Sequence, residues 1–327
     1  MESSMDPSTA AEGRRVTRRT ASPRRMTSTV PKELVHRASV AEVFLTGSTA
    51  LGDHRFRLDA QWPRAHTFFT TDGGRRHDPL LAAETIRQVG LYLAHTELNV
   101  PLGHQFLLQE MHFHVHEEQL VIGMTPSDLT IDARCIVSDS RDRRFAFRME
   151  MTIFRDGAPV ATGGGQFVCI PAALYGRIRG KHADFTERLA VPRPAPARPA
   201  DVGRAGSLDV VISPTDRPDR WLLSPDLLHP ILFEHPADHV PGMVLVEAAR
   251  QAAYAVLRPR AAGTATVTAT FSRYAELDTP CFIDVTVPEH EPLAPLTAEV
   301  TGTQLGEPVF VCTLAHVTDD CRAFAVA

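Results

Sequence analysis

An internal repeat constrains the fold of this chain more than any other feature of its sequence. Residues 66–88 (HTFFTTDGGRRHDPLLAAETIRQ) align without a gap on residues 229–251 (HPILFEHPADHVPGMVLVEAARQ). The alignment superposes a histidine and a Glu-x-x-Arg-Gln motif of each segment: His66, Glu84, Arg87 and Gln88 in the first, and His229, Glu247, Arg250 and Gln251 in the second. Polar positions in register within so short a window predict that the two halves share one fold through duplication.

Each half combines one long apolar helix with several strand-like segments. Apolar residues recur at helical spacing over residues 79–98 and 241–257, which predicts two helices. β-branched and aromatic segments separated by turn residues follow each helix and indicate antiparallel strands, so the predicted fold class is α+β. The expected organisation is a disordered Ser/Thr/Arg-rich tail at 1–30, a first domain at 31–186, a Pro/Ala-rich linker at 187–206 and a second domain at 207–327.

Composition and charge argue against several classes of function. The 34 basic and 39 acidic side chains give a net charge of -5, which offers no general attraction for nucleic acid. No apolar run approaches the roughly 20 residues that cross a bilayer, and the N-terminus lacks the apolar core of a signal peptide. The five cysteines are scattered without a CxxC pair, as expected for reduced thiols. We therefore expect a cytoplasmic protein that binds neither nucleic acid nor membrane.

Two short motifs have the composition of ligand sites. The alternating His112, His114 and His116 of MHFHVH share one face of a strand, a spacing that can bind a metal ion. Because no second set of ligands is evident nearby, a hydrogen-bonded strand face is favoured, and we expect neither a metal nor a cofactor. The GGG at 163–165 lacks the strand–turn–helix setting of a phosphate loop, and it predicts a bulge or a close backbone approach.

The second helix carries a carboxylate, a guanidinium and an amide among residues that are otherwise apolar. At about 100° per residue, Arg250 and Gln251 project on either side of Glu247, so the three side chains occupy one strip. Burying an unpaired carboxylate is costly, so Glu247 should be paired, protonated or directed into a cavity. Two interpretations stay open at this point: a Glu–Arg pair that only fixes helix packing, or a general acid or base with a tuned pKa.

The start of this helix favours the catalytic interpretation. After Pro241, the backbone N–H groups of Gly242 and Met243 can approach a ligand oxygen near the positive end of the helix dipole. His235 and His239 lie just before the helix. Amide donors, histidines and a carboxylate one to two turns into the helix are the components of an acyl-transfer site.

Several segments resemble known enzyme families. Residues 235–251 are similar to the central-helix motif of hotdog-fold dehydratases that act on acyl thioesters, whose catalytic Glu follows the helix-start Gly by five residues, as Glu247 follows Gly242. A closer resemblance, over about residues 31–317, is to the A-factor biosynthesis (AfsA-type) hotdog family of γ-butyrolactone synthases. It is carried by residues 33–47 (ELVHRASVAEVFLTG), 77–90 (HDPLLAAETIRQVG), 100–106 (VPLGHQF), 229–252 and 272–281 (SRYAELDTPC).

The resemblance implies a tandem double hotdog, in which two long central helices are each wrapped by an antiparallel β-sheet and form a pseudo-dimer within one chain. It also implies an acyl tunnel where the halves meet. The implied activity is that of an acyltransferase in γ-butyrolactone signal biosynthesis. The enzyme would move a β-ketoacyl group from a carrier-protein (ACP) or CoA thioester to a hydroxyl of dihydroxyacetone phosphate. A homodimer of the whole chain is a further expectation.

The resemblance also suggests a role for each candidate residue. Glu247 deprotonates or orients the attacking hydroxyl, and the amides of Gly242 and Met243 stabilise the oxyanion. His235 or His239 binds the thioester carbonyl or shuttles a proton. The other expected substrate-binding residues are Arg250 and Arg87, whose guanidinium groups suit a phosphate, together with Gln251, Gln88 and His104.

Departures from the dehydratase motif refine these roles. The dehydratase His lies eight residues before the helix-start Pro, where this chain has Phe233, whereas His235 lies six residues before it. This spacing argues against water elimination and is compatible with acyl transfer. The first repeat has no helix-start Gly, so Glu84 ranks below Glu247 as the catalytic carboxylate.

Two other functions stay open on the sequence alone. Thioesterases and dehydratases that act on acyl thioesters share this fold, and water as the acceptor needs no arginine to bind a phosphate. A non-catalytic protein that keeps the tunnel and binds an acyl ligand as a regulator is the second alternative. The Glu-x-x-Arg-Gln motif in both halves weighs weakly against it.

Overall fold

The computed structural model describes residues 28–141, 144–183, 193–258, 261–289 and 295–318. The predicted N-terminal tail therefore lies outside the described residues except at 28–30, and the predicted linker is described only from residue 193. Within the described ranges, no helix is long and apolar enough to cross a membrane.

Both halves contain one long helix among strands. The first half comprises β1 (Leu45–Gly52), β2 (Arg55–Trp62), β3 (Thr70–Thr71), β4 (Arg76–His77), α1 (Leu80–Thr96), β5 (Gln105–Val115), β6 (Ser127–Arg141), β7 (Arg144–Arg155), β8 (Ala158–Ile170) and α2 (Ala172–Arg179). The second half comprises β9 (Ile212–Pro214), β10 (Arg220–Leu223), α3 (Gly242–Leu257), β11 (Ala261–Phe271), β12 (Phe282–Thr286), β13 (Leu296–Gln304) and β14 (Glu307–Thr318). The helices predicted at 79–98 and 241–257 are thus confirmed as α1 and α3.

One antiparallel sheet of 12 strands runs through the molecule in the order β1-β2-β6-β7-β8-β5-β11-β14-β13-β12-β10-β9. Read from its two edges, the sheet gives the same succession of elements, because β9, β10, β12, β13, β14 and β11 correspond to β1, β2, β6, β7, β8 and β5. The halves join where β5 pairs with β11, with His114 opposite Thr266. The duplication inferred from the sequence is therefore confirmed as two copies of one unit joined edge to edge.

The helices pack closely on the inner face of this sheet. A Cβ on Gly90 of α1 would lie 2.4 Å from a ring carbon of Phe167 in β8, and a Cβ on Gly163 would lie 2.8 Å from Cδ1 of Ile86. Side chains at either glycine would push the helix off the sheet. The close approach predicted for GGG is therefore confirmed at Gly163.

The segments that lead into β1 and β9 are not extended throughout. Residues 38–47 and 207–213 have the β-branched pattern of strands, but each begins with a 3-10 turn, at Val40–Glu42 and Ser207–Asp209. In the first case the side chain of Ser39 accepts the N–H of Ala41 at 3.2 Å, which favours a turn over an extended strand. These turns carry residues that bind the central helices.

Candidate active site

The motif glutamines hold each helix to the segment that leads into the sheet. Nε2 of Gln88 donates to the carbonyl of Glu42 at 2.8 Å, and its Oε1 accepts the backbone N–H two residues further on at 2.9 Å. Gln251 makes the same two bonds. Its Nε2 donates to the carbonyl of Asp209 at 2.7 Å, and its Oε1 accepts the N–H of Val211 at 3.0 Å. The structure thus engages both glutamines with the backbone of their own half, although the sequence suggested substrate contacts.

A second internal repeat lies ahead of each half and was missed in the sequence. Residues 35–42 (VHRASVAE) correspond to residues 202–209 (VGRAGSLD), so Arg37 corresponds to Arg204. Both segments share the pattern Val-x-Arg-Ala with an acidic residue five positions after the arginine. This pattern is the sequence signal that identifies Arg37 and Arg204 as equivalent residues. Both arginines turn out to bind the helix glutamates.

In the second half, residues of the first half enclose the pair formed by Arg204 and Glu247. Nε of Arg204 donates to Oε1 of Glu247 at 2.7 Å, and Nη1 of Arg204 donates to the carbonyl of Phe68 at 2.9 Å and to Oδ2 of Asp78 at 3.2 Å. The guanidinium lies 4.0 Å from the centroid of the Phe68 ring. Oδ1 of Asp78 accepts the N–H of Leu80 at 2.9 Å. Residues of the first half therefore fill the space beside Glu247 and cap the start of α1.

The carboxylate of Glu247 is sealed from solvent, with a side-chain exposure of 0%. Nε and Nη2 of Arg250 donate to it, each at 2.8 Å, and Gln251 donates a further hydrogen bond. Burial opposes the charge, but the guanidinium groups of Arg204 and Arg250 outweigh it and hold the pKa of Glu247 well below its usual range. Of the two interpretations left open by the sequence, this geometry supports the buried ion pair.

A cavity of about 730 Å³ lies where the two halves meet. Its walls are largely apolar, from Phe69, Leu91, Phe106, Leu107, Leu108 and Phe167 of the first half and Leu232, Met243, Leu245, Phe271 and Val309 of the second. The polar part of the lining includes His36, Arg37, Glu84, Arg87, Glu234, His235, His239, Arg273, Tyr274, Glu276 and Glu307, and the backbone of Gly242 also borders the cavity. Glu247, Arg250 and Gln251 do not belong to this lining. The structure therefore does not bring the expected base, Glu247, into the chamber; the equivalent residue of the first half, Glu84, lies there instead.

Glu84 anchors two arginines that line the cavity. Nη2 of Arg37 lies 2.7 Å from Oε1 of Glu84, and Nε of Arg87 donates to Oε2 at 2.9 Å. Burial opposes the charge, but Arg37 and Arg87 outweigh it and hold the pKa of Glu84 well below its usual range. Arg37 also donates to Oε2 of Glu234 at 2.9 Å and to the carbonyl of Ile231 at 3.4 Å, which ties the first half to the second.

Arg87 keeps hydrogen-bonding capacity directed away from this network. Its Nε and Nη2 donate to the carboxylate of Glu84, and Nη2 also donates to the carbonyl of Val35 at 3.3 Å. Nη1 makes no hydrogen bond to any residue that the structure describes, and 21% of the side chain is exposed. A partly exposed guanidinium whose other edge is fixed by a carboxylate can bind an anionic ligand.

The start of α3 opens on the same cavity, whereas the start of α1 does not. Pro241, with φ -59° and ψ 144°, precedes the helix, and within the described chain no side chain caps it. Gly242 and Met243 both line the cavity, and as donors of the first turn of α3 their amides have no partner within the helix, so they suit a ligand oxygen. In the aligned position of the first half, Asp78 caps α1. The starts of the two helices therefore differ in their access to the cavity.

The loop before α3 is held by a buried ionic network. Nδ1 of His239 lies 2.7 Å from Oδ1 of Asp238, which also accepts from the hydroxyl of Tyr175 at 2.8 Å. Nε of Arg179 donates to Oδ2 of Asp238 at 2.8 Å. Burial opposes the charge on Asp238, but these donors hold its pKa below the usual range. The carboxylate therefore fixes the His239 ring, while His235 is exposed at the rim.

The remaining candidates lie away from this cluster. His104 occupies the turn before β5, where its N–H donates to the carbonyl of Pro101 at 3.3 Å, and it is not among the described cavity residues. His112 lies 2.9 Å from Oε2 of Glu150, so the histidine motif forms a hydrogen-bonded strand face. No cluster of three or more histidine, cysteine, aspartate or glutamate residues suited to a metal occurs in the described part of the chain.

Two helix-and-sheet units joined edge to edge, with a cavity between their helices, define a tandem double hotdog protein. The chain belongs to the A-factor biosynthesis hotdog domain family, whose model matches residues 19–171 and 186–309. It is 49% identical over 295 residues to the 2-oxo-3-(phosphooxy)propyl 3-oxoalkanoate synthase of Streptomyces virginiae, covering 88% of this chain and 98% of that one.

The enzyme of the same name from Streptomyces coelicolor is 37% identical over 287 residues, which cover 88% of this chain and 91% of that one. Among solved structures, the chain is similar to the 12:0-ACP thioesterase from Umbellularia californica. That match has a TM-score of 0.49 and 10% identity, and it covers 81% of this chain and 94% of the thioesterase.

Proposed function

We propose that the protein is an acyltransferase that moves a 3-oxoacyl group from a thioester to a hydroxyl of dihydroxyacetone phosphate. The observation that carries the proposal is the composition of the cavity described above, whose walls come from both halves. Apolar walls suit an acyl chain, the amides at the start of α3 suit a developing oxyanion, and the available edge of Arg87 suits a phosphate. The product named in the relatives is an ester that contains both of these parts.

The residues divide the reaction between the halves. The acyl chain lies along the apolar walls, with its thioester carbonyl oxygen at the N–H groups of Gly242 and Met243. The phosphate of the acceptor binds Arg87, and Glu84 holds that guanidinium in place. The acceptor hydroxyl attacks the thioester carbon, the amides stabilise the tetrahedral oxyanion, and the intermediate collapses with release of the thiol.

The two loop histidines act on the donor side. His239 is oriented by Asp238 close to the start of α3, so it contacts the thioester, while His235 lies at the rim through which the donor enters. The donor is a carrier-protein or CoA thioester, and the proposed place of action is the cytoplasm, where such donors occur. Because both halves of the site come from one chain, the reaction does not require a second copy.

This assignment replaces the expected catalytic carboxylate. Glu84 and Glu247 both stay ionised between two guanidinium groups, so neither is a strong base. Glu84 is proposed as a positioning residue for Arg87 in the working site. Glu247, Arg250 and Gln251 are proposed to maintain the closed half.

Incubation of the purified protein with a 3-oxoacyl thioester tests the proposal. In the presence of dihydroxyacetone phosphate, the expected product has the mass of the phosphate ester. Release of the free 3-oxo acid at the same rate with and without the acceptor would identify a thioesterase instead. Recovery of unchanged thioester bound to the protein after long incubation would identify an acyl-binding protein.

A further inference from the structure

One polar residue of the cavity, His36, has no role in the reaction described above. It adopts a left-handed backbone conformation, with φ 51° and ψ 51°, which side chains with a Cβ rarely adopt. Its counterpart in the closed half is Gly203, with φ 72°. Only the half that opens on the cavity therefore has an imidazole at this position.

The surroundings of the two positions explain the difference. A Cβ on Gly203 would meet the ring of Tyr254 at 3.4 Å, so the second half is filled by that tyrosine. The position aligned with Tyr254 in the first half is Leu91, which is smaller and lines the cavity together with His36. The imidazole of His36 thus occupies a space that corresponds to that filled by the Tyr254 ring in the closed half.

A chain of hydrogen bonds fixes the tautomer of His36. Nδ1 of His95 lies 2.7 Å from the carbonyl of Val100, and because a carbonyl only accepts, this nitrogen carries the proton. Nε2 of a neutral His95 is then an acceptor, and it lies 2.9 Å from Nε2 of His36. Nε2 of His36 therefore donates, which leaves a lone pair on its Nδ1. That nitrogen makes no hydrogen bond with any part of the chain that the structure describes.

Burial, together with the positive charge of Arg87, keeps the His36 ring neutral. Burial, followed by the charge of Arg87 and the neighbouring His95 and His235, lowers the pKa of His36 to about 4. Both imidazoles also pack against Phe106, with ring centroids 5.1 and 5.2 Å away. A neutral, oriented imidazole with an unused lone pair stands beside the arginine proposed to hold the acceptor phosphate.

We propose that His36 is the general base of the acyl transfer, an inference that rests on the proposed function. As the acceptor oxygen attacks the thioester carbon, its proton moves to Nδ1 of His36 and the oxyanion forms. When the C–S bond breaks, the proton passes from Nδ1 to the sulfur, so the thiol leaves neutral and the imidazole is restored. His95 acts as a positioning residue that holds the required tautomer.

The acceptor itself would strengthen this base. Its phosphate places negative charge at Arg87, which is one of the groups that lower the pKa of His36. An anion at Arg87 therefore offsets the contribution of that guanidinium to the lowered pKa.

Two substitutions test the role without forcing the backbone. His36→Gly reproduces Gly203 of the closed half, and His36→Asn keeps a side chain that tolerates the left-handed region. We expect each to slow ester formation by about 100-fold or more at saturating substrates, since a positioned base contributes about that factor. Added imidazole should restore part of the rate to His36→Gly. Rates within threefold of wild type in both variants would overturn the proposal.

His54 provides the matched control, because it is an exposed histidine with φ 52° in the β1–β2 turn. His54→Gly should leave ester formation unchanged. If the wild-type protein forms no ester at all, the proposed function fails, whereas a normal wild-type rate with active His36 variants rejects only the base.

Nitrogen-15 NMR of the histidine side chains supplies a measurement that does not depend on turnover. At pH 7 the His36 ring, assigned by its loss in His36→Asn, should carry its proton on Nε2 alone. His95→Phe should release this preference without removing the His36 signal. A proton on Nδ1 of His36, or a charged ring, would overturn the inference even in an active enzyme.

Discussion

Arg37 and Arg204 are equivalent residues of the two halves, and each joins the helix glutamate of its own half to a backbone carbonyl of the other half. Their second acidic partners differ, because Arg37 binds Glu234 at 2.9 Å whereas Arg204 binds Asp78 at 3.2 Å. Asp78 also caps α1, which closes that side. One scaffold, used twice, therefore gives one open site and one filled site.

The amide of Gly242 can be removed without disturbing the helix. Gly242→Pro places a proline at the first helical position, where it is well tolerated, and Pro241 already has the extended ψ of 144° that precedes a proline. We expect ester formation to fall by about 100-fold, as for loss of one oxyanion donor. Gly242→Ala keeps the N–H, and its Cβ would lie an ordinary 3.5 Å from the Phe271 ring, so it should stay active. Equal rates for the two variants would remove the amide from the reaction.

Substitution of Arg87 separates binding of the phosphate from binding of the acyl chain. Arg87→Gln should raise the KM for dihydroxyacetone phosphate by about tenfold or more, since a charge-assisted hydrogen bond is lost, with little change for the thioester. Steady-state rates with dihydroxyacetone in place of its phosphate provide the comparison. The variant should discriminate less between the two acceptors than wild type does. Unchanged discrimination would place the phosphate elsewhere.

The two helix glutamates should respond differently to the same change. Glu247→Gln leaves Arg250 without its buried counter-charge and leaves Arg204 with Asp78 alone, so the free energy of unfolding in urea should fall by about 3 kcal/mol. The molecules that stay folded should still form ester. Glu84→Gln should lower turnover and raise the KM for the acceptor, because Arg87 loses its anchor. A stable but inactive Glu247→Gln protein would return Glu247 to the reaction.

Acid should weaken the fold before the carboxylates titrate. Burial is the main cause that lowers the pKa of His36, His77 and His316 to about 4, from the ordinary 6.5. Between these values the unfolded chain binds protons that the folded chain does not, so the free energy of unfolding falls as the pH drops from 6.5 to 4. Urea titrations between pH 6.5 and 4 should show this decrease in the free energy of unfolding. The decrease should be smaller in His36→Asn. Stability that is flat down to pH 4 would contradict these shifts.

The sequence predicted the architecture better than it predicted the site. Periodicity and the internal repeat located both helices, and several expected residues, including His239 and Gly242, do line one cavity. Helical spacing could not tell which of two equivalent glutamates faces that cavity, because the difference comes from Phe68 and Asp78 of the opposite half. The same gapless alignment pairs Phe68 with Ile231 and Asp78 with Pro241. The sequence therefore contains the difference between the two halves, but only the packing shows its effect on the site.

A crystal structure with a non-transferable 3-oxoacyl thioester analogue and dihydroxyacetone phosphate tests the central claim most directly. The account predicts both ligands in the cavity between the halves. The carbonyl oxygen should lie within hydrogen-bonding distance of the amides of Gly242 and Met243, and the phosphate should contact Arg87. Ligands bound against Glu247 and Arg250 in the second half, with this cavity empty, would contradict it.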